Sequence, residues 1–121
     1  MNQSEIIFRR AKESDMNLIW KLLHADSRMR SEVYIREHLD RIYLLLEDKR
    51  VLGALCGIPR TNKAEISWLV IHPLYPESVI AEIMIREFQG IYCRFYVEPT
   101  NRWVNPKIIK RLLGPVPEIV Q

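Results

Sequence analysis

Residues Ala64 to Phe88 read AEISWLVIHPLYPESVIAEIMIREF, and the change of hydrophobic period inside this stretch decides the fold. From Ala64 to Ile71 the residues are almost continuously apolar, with β-branched and aromatic members, which predicts a strand buried on both faces. Pro73 ends it. From Ser78 to Phe88 the apolar residues return at helical spacing, as Ile80, then Met84 or Ile83, then Phe88, while Glu82, Arg86 and Glu87 fall on the opposite side. The spacing predicts an amphipathic helix capped by Ser78 or Glu77. A strand that turns directly into a helix aims the first free N–H groups of that helix at the turn, which makes an anion site if the turn is open.

Working outward, Pro59 to Lys63 is a polar turn. Before it, Ile42–Leu46 and Val51–Ile58 flank the turn-rich Glu47-Asp48-Lys49-Arg50, the pattern of an antiparallel hairpin. Gly53 and Gly57 in its second strand allow a close backbone approach or a bulge. Further back, the polar and basic segment His24–Arg41 suits a thinly anchored helix, with Ser31 as its cap and Val33, Ile35 and Leu39 as its apolar contacts. Met16, Ile19, Trp20 and Leu23 repeat as a buried helical stripe, with Asp15 as its cap. Glu5–Ala11 reads as a first strand. On the C-terminal side, Gly90 breaks the helical period and Ile91–Val97 alternates as a strand. Pro106 then opens a last helix with the stripe Ile108, Ile109, Leu112 and Leu113, stopped by Gly114-Pro115. Pro117–Gln121 suits one more short strand.

At 121 residues and 48% hydrophobic content the chain is expected to form one domain, residues 1–121, with a real core. Its 18 basic and 15 acidic residues leave a net charge of +3, which aids solubility without implying nucleic acid. Trp103 with Arg102, Lys107, Lys110 and Arg111 forms a small basic patch that a solvated helix face explains; no nucleic-acid motif accompanies it. Cys56 and Cys93 sit in apolar runs without CxxC spacing, so reduced, buried thiols in the cytoplasm are expected. No apolar stretch approaches the ~20 residues of a membrane span, and the polar start MNQSE is unlike a signal peptide.

The lead-in Ile71-His72-Pro73-Leu74-Tyr75, between a strand and a helix, resembles the acyl-CoA segment of the GNAT superfamily of N-acetyltransferases. That family has V-x-P-x-Y/W followed by R/Q-x-x-G-x-G/A opening a helix. The opening strand, Arg10-Ala11, Asp15 and amphipathic helix are similar to the start of such domains, and the central hairpin is similar too. The resemblance implies an α/β (α+β) fold with a mixed, mainly antiparallel sheet flanked by about four helices. It also implies acetyl-CoA as cofactor, held by Leu69, Val70 and Ile71, by the turn Tyr75, Pro76, Glu77, Ser78, Val79, Ile80 and Ala81, and by Asn105 or Asn101. Within the signature only Ala81 conforms. Pro76 stands for Arg or Gln and lacks an N–H, Val79 stands for the first Gly and adds bulk, and Glu77 puts a carboxylate where phosphate should sit. The family's Tyr in the last helix is matched by Leu112, and the C-terminal end is short, as in GNAT-like domains of phage proteins.

Acetyl transfer to an amine needs a base for the amine proton and donors for the thioester oxygen. The resemblance puts Glu65 on the strand where the family often places a Glu; a solvated strand-end carboxylate is the structural reading beside it. His72 is a second candidate base. Tyr96 or Tyr92 stands in for the missing acid, against a plain role as sheet aromatics. His38, near Asp40, lacks any metal-ligand partner and reads as a satisfied helical histidine; no metal is expected. The expected function is an acyl-CoA-dependent N-acetyltransferase-like protein with a degenerate pyrophosphate loop and a small-molecule or protein amine acceptor. The alternative is a non-catalytic domain of the same fold acting through protein contacts.

Overall fold

The computed structural model describes residues 5–25, 31–92, 94–98, 104–105, 107–108 and 110. Among them the elements run β1 (Ile6–Arg10), a 3-10 turn (Glu13–Asp15), α1 (Met16–Ala25), α2 (Glu32–Glu37), a second 3-10 turn (Leu39–Arg41), β2 (Ile42–Glu47), β3 (Arg50–Arg60), β4 (Lys63–Ile71), α3 (Glu77–Ile91) and β5 (Phe95–Tyr96). The strands form one sheet in the order β1-β2-β3-β4-β5, antiparallel except for the parallel β4–β5 pair. The expected mixed, mainly antiparallel sheet is present. Three α-helices are described; most of the expected fourth lies outside the described residues, before which Asn105 Oδ1 accepts from the Lys107 N–H at 2.9 Å and its carbonyl from the Ile108 N–H at 3.0 Å. Cys93, Asn101, Arg102, Trp103, Leu112 and the expected strand 117–121 lie outside the described residues.

The sheet separates two apolar layers. On one face α1 and α2 bury Ile19, Leu22, Leu23 and Ile35 against Leu44, Leu46, Val51, Ala54, Cys56, Trp68 and Val70. On the other face α3 buries Ile80, Ala81, Met84, Ile85 and Phe88 against Leu45, Leu55, Ile66, Leu69 and Ile71, with Val104 and Ile108 in the same cluster. A central strand covered on both faces must be apolar at successive positions, which is why β4 reads as a run.

Two bulges shape this arrangement. In β3 the register passes from Leu45↔Gly53 to Leu46↔Val51, so Leu52 is an extra residue and turns toward α3 beside Gly53. In β4 it passes from Gly57↔Ile66 to Cys56↔Trp68, which turns Trp68 onto the α1–α2 face. The glycines serve close approach: a Cβ on Gly57 would stand 2.6 Å from the Phe88 ring and one on Gly53 2.7 Å from the Met84 sulfur. A side chain at Gly57 would have to displace the rigid Phe88 ring, whereas one at Gly53 would first push aside the flexible Met84 side chain.

Several local expectations are corrected. Gly90 does not end α3, which continues to Ile91; Gly90 is exposed, and a Cβ added there would meet nothing within 4 Å. The strand expected over Ile91–Val97 is thereby reduced to Phe95–Tyr96. Asp15 does not cap α1 as its first residue. It closes the preceding turn, buried at 5% exposure, where it accepts the Lys12 N–H at 2.7 Å and a two-pronged bond from Arg9 at 2.8 and 3.1 Å. In α1 the buried stripe is Ile19, Leu22 and Leu23, and Trp20 is exposed, stacked on His24 at 4.9 Å between ring centres. Ser31 does cap α2, its hydroxyl accepting from the Tyr34 N–H at 3.0 Å.

Candidate functional site

β4 leaves the sheet at Ile71, and the backbone N–H of His72 still reaches back to the Leu52 carbonyl at 2.8 Å. The chain then closes tightly. The His72 carbonyl accepts the Tyr75 N–H at 3.1 Å, and His72 Nδ1 accepts the Leu74 N–H at 3.2 Å. Pro73 and Pro76 have no N–H to give. Every amide between β4 and α3 is therefore absent, spent inside the turn or, at His72, given to β3. The first helical bond runs from the Ile80 N–H to the Pro76 carbonyl at 3.1 Å, which leaves the N–H groups of Glu77, Ser78 and Val79 as the donors of the helix start.

The cap position is Pro76, not Ser78 or Glu77, and no side chain caps the helix there. Glu77 is instead the first helical residue, and its Oε1 accepts from Asn105 Nδ2 at 3.1 Å. A carboxylate at a helix N-terminus is stabilised by the helix dipole, so Glu77 supplies the negative charge that a bound anion would otherwise supply. Asn105 thus ties this start to the Lys107 backbone, whose N–H its Oδ1 accepts. Val79 is 54% exposed at the same end, whereas Ala81 is buried under the sheet.

Beside this turn the sheet opens. β4 and β5 pair only at Ala64↔Phe95 and Glu65↔Tyr96, and beyond Glu65 no described strand pairs with the outer edge of β4. Leu69 and Ile71 turn their side chains toward α3 and Val70 toward α1, so along this length the backbone edge is what β4 presents. The β4 bulge lies within the same opening.

Of the catalytic candidates, the structure brings together Glu65 and Tyr96. The Tyr96 hydroxyl donates to Glu65 Oε1 at 3.4 Å. Arg60, which the sequence reading did not single out, donates to the same oxygen from Nε at 3.2 Å and Nη2 at 2.7 Å. The Glu65 hydrogen bond, then that of Tyr96, holds the Arg60 guanidinium above its ordinary pKa. Lys63 lies 4.6 Å from the centre of the Tyr96 ring. Glu65 is thus a paired carboxylate, 14% exposed, on the face of β4 opposite Ala64 and Ile66.

His72 is not part of that group. It stands past the other end of β4, on the order of 20 Å away at ~3.3 Å per strand residue. Its Nδ1 receives the Leu74 N–H, which leaves the ring proton of the neutral form on Nε2. Tyr92 also stands apart, against Phe88 at 5.2 Å between ring centres, its phenol pKa raised by burial and then by Tyr43. His38 is a satisfied helical histidine, with Nδ1 2.8 Å from the Tyr34 carbonyl and its ring stacked on Tyr34. Among the described residues no group of three or more His, Cys, Asp or Glu could hold a metal, and no helix is long and apolar enough to cross a membrane.

No protein-family model and no curated protein matches the sequence. Solved structures match the fold. A GNAT-family acetyltransferase of Streptococcus pneumoniae superposes with a TM-score of 0.62 at 16% identity over 83% of this chain and 80% of that one. The diaminobutyrate acetyltransferase of Paenibacillus lautus, in complex with L-2,4-diaminobutyric acid and coenzyme A, gives 0.63 at 12% identity, over 73% of this chain. The PaiA N-acetyltransferase of Thermoplasma acidophilum, in complex with coenzyme A, gives 0.56 at 18% identity over 81% of this chain. The chain spans 58% of the Paenibacillus enzyme and 23% of an N-acetylglutamate synthase of Neisseria gonorrhoeae.

Proposed function

With the GNAT fold as premise, we propose that this chain is an acyl-CoA-dependent N-acetyltransferase-like protein whose pyrophosphate loop is degenerate and whose hold on CoA is weak. The observation that carries this reading is the parting of β4 from β5 after Glu65, beside the β4 bulge and ahead of the α3 start. An amide-bearing pantetheine arm suits an open strand edge, because it can add to the β4 backbone as another strand would. Leu69, Val70 and Ile71 would supply that edge. The donors of Tyr75 to Ala81, reduced to the helix-start amides, would meet the phosphates together with Asn105, and Glu77 would oppose them.

Of the polar side chains, Glu65 is the base of this proposal. It would take the amine proton as nitrogen attacks the thioester carbonyl, with Tyr96 hydrogen-bonded beside it to return a proton to the leaving thiolate. Arg60 must loosen for Glu65 to do so, a cost that slows the reaction. The acceptor of this reading is a small-molecule amine, in keeping with the diaminobutyric acid held by the Paenibacillus enzyme.

One observation favours a second reading, a non-catalytic domain acting through protein contacts. The Glu77 carboxylate, held by Asn105, already occupies the start of α3. Calorimetric titration with acetyl-CoA separates the two. Binding with Kd near or above the micromolar range, about 7 to 8 kcal/mol or less, supports the first reading. No heat and no thermal shift at millimolar acetyl-CoA leaves the second.

A further inference from the structure

On the side of the β4–α3 turn away from the β4–β5 opening, a groove of about 350 Å³ lies between α1, the β2–β3 turn and residues 72–75. Its wall carries Lys21 from α1, Lys49 and Arg50 from the hairpin turn, and His72 and Tyr75 from the β4–α3 turn, above an apolar floor that includes Leu22. Elements far apart in sequence thus converge three formal positive charges on one concavity. Among the described residues none of the three cations has an acidic partner within ion-pair distance. Glu47 stands opposite Arg50 in the register without an ion pair, and the Asp48 carboxylate is turned to the Glu5 N–H at 3.4 Å.

We propose that this groove binds a small organic phosphate. Three cations without an acidic partner among the described residues match a dianionic phosphate better than a single carboxylate, and the guanidinium of Arg50 offers the paired donors that phosphate oxygens accept. His72 lines the same groove. The buried Leu22 and Val51, with Tyr75 also in the lining, call for an apolar or aromatic body attached to the phosphate rather than the bare ion. The volume is at the lower end of small-molecule sites, which sets the ligand at about the size of a phosphorylated metabolite. The same chemistry could arrive as the phosphate end of CoA or as a separate phosphorylated molecule. The site itself does not rest on the acetyltransferase reading.

The test is a titration of the full chain with phenyl phosphate, followed by ¹⁵N–¹H NMR. The expected result is saturable shifts at Lys49, Arg50 and Tyr75, and a loss of affinity of about tenfold or more in the K49Q/R50Q variant. Both residues are exposed, so the variant should keep its melting temperature; R36Q, at an exposed cation elsewhere, should bind like the parent. Displacement of phenyl phosphate by acetyl-CoA would assign the groove to CoA phosphates, and simultaneous binding would assign it to a separate ligand. Shifts that never saturate, or unchanged binding by K49Q/R50Q, would overturn the proposal.

Discussion

The Trp68 indole Nε1 donates a hydrogen bond of 3.1 Å to the Tyr34 hydroxyl, tying the bulged strand β4 to the short helix α2. Trp68 is 2% exposed and faces α2 only because the bulge shifts its side of the sheet. A six-residue helix has little stability of its own, so this bond and Ile35 hold it in place. Tyr34→Phe would leave a buried indole N–H without that acceptor and is expected to cost about 1 to 2 kcal/mol. Urea unfolding followed by tryptophan fluorescence measures it.

Asp15 gives the chain an acid-sensitive joint. Its carboxyl is held below the usual aspartate range first by the Arg9 hydrogen bonds and then by the Lys12 N–H, against the opposing effect of burial. A depressed folded pKa means that the stabilisation is complete above the unfolded value of about 3.9 and is lost as pH falls through the folded one. Stability should therefore fall below about pH 4, and in Asp15→Asn that fall should be shallower while stability at pH 7 drops by about 2 kcal/mol. Thermal melts from pH 2 to pH 7 in both proteins give the comparison.

If Glu65 is the base, Glu65→Gln should lower the rate of CoA thiol release by about a hundredfold or more. Its melting temperature should change little, because the Gln side-chain oxygen still accepts from Arg60 and Tyr96 and the Arg60 side chain is half-exposed to solvent. Equal rates in the two proteins would reduce the Arg60–Glu65–Tyr96 group to a structural one.

The strand-to-helix core of the fold was legible because two periods meet at Pro73, and β4 and α3 stand within a few residues of where that change puts them. What escaped the sequence depends on tertiary partners. Asp15 reads as a helix cap until Arg9 is seen beside it. Gly53 and Gly57 left a bulge open beside a close approach, but not which residue would be extra, and that choice decides that Trp68 and Leu52 change faces. Glu65 was visible as a candidate base, but Arg60 across the Thr61-Asn62 turn was not. Pro76, Glu77 and Val79 were legible as departures from the family's pattern at this turn; the consumption of the Leu74 and Tyr75 amides within it depends on the folded position of His72.

The central claim, an acyl-CoA slot weakened at one turn, is tested most directly by titrating acetyl-CoA into the parent and into Pro76→Arg/Glu77→Gly/Val79→Gly. The triple change removes the carboxylate and the bulk and adds a guanidinium at the α3 start. Two or three recovered charge-assisted contacts at ~1.5 to 3 kcal/mol each should tighten binding by two or more orders of magnitude. The added glycines should lower stability by roughly 0.5 to 1 kcal/mol apiece. The account predicts affinity rising as melting temperature falls. A folded triple variant that binds acetyl-CoA no better than the parent would contradict it.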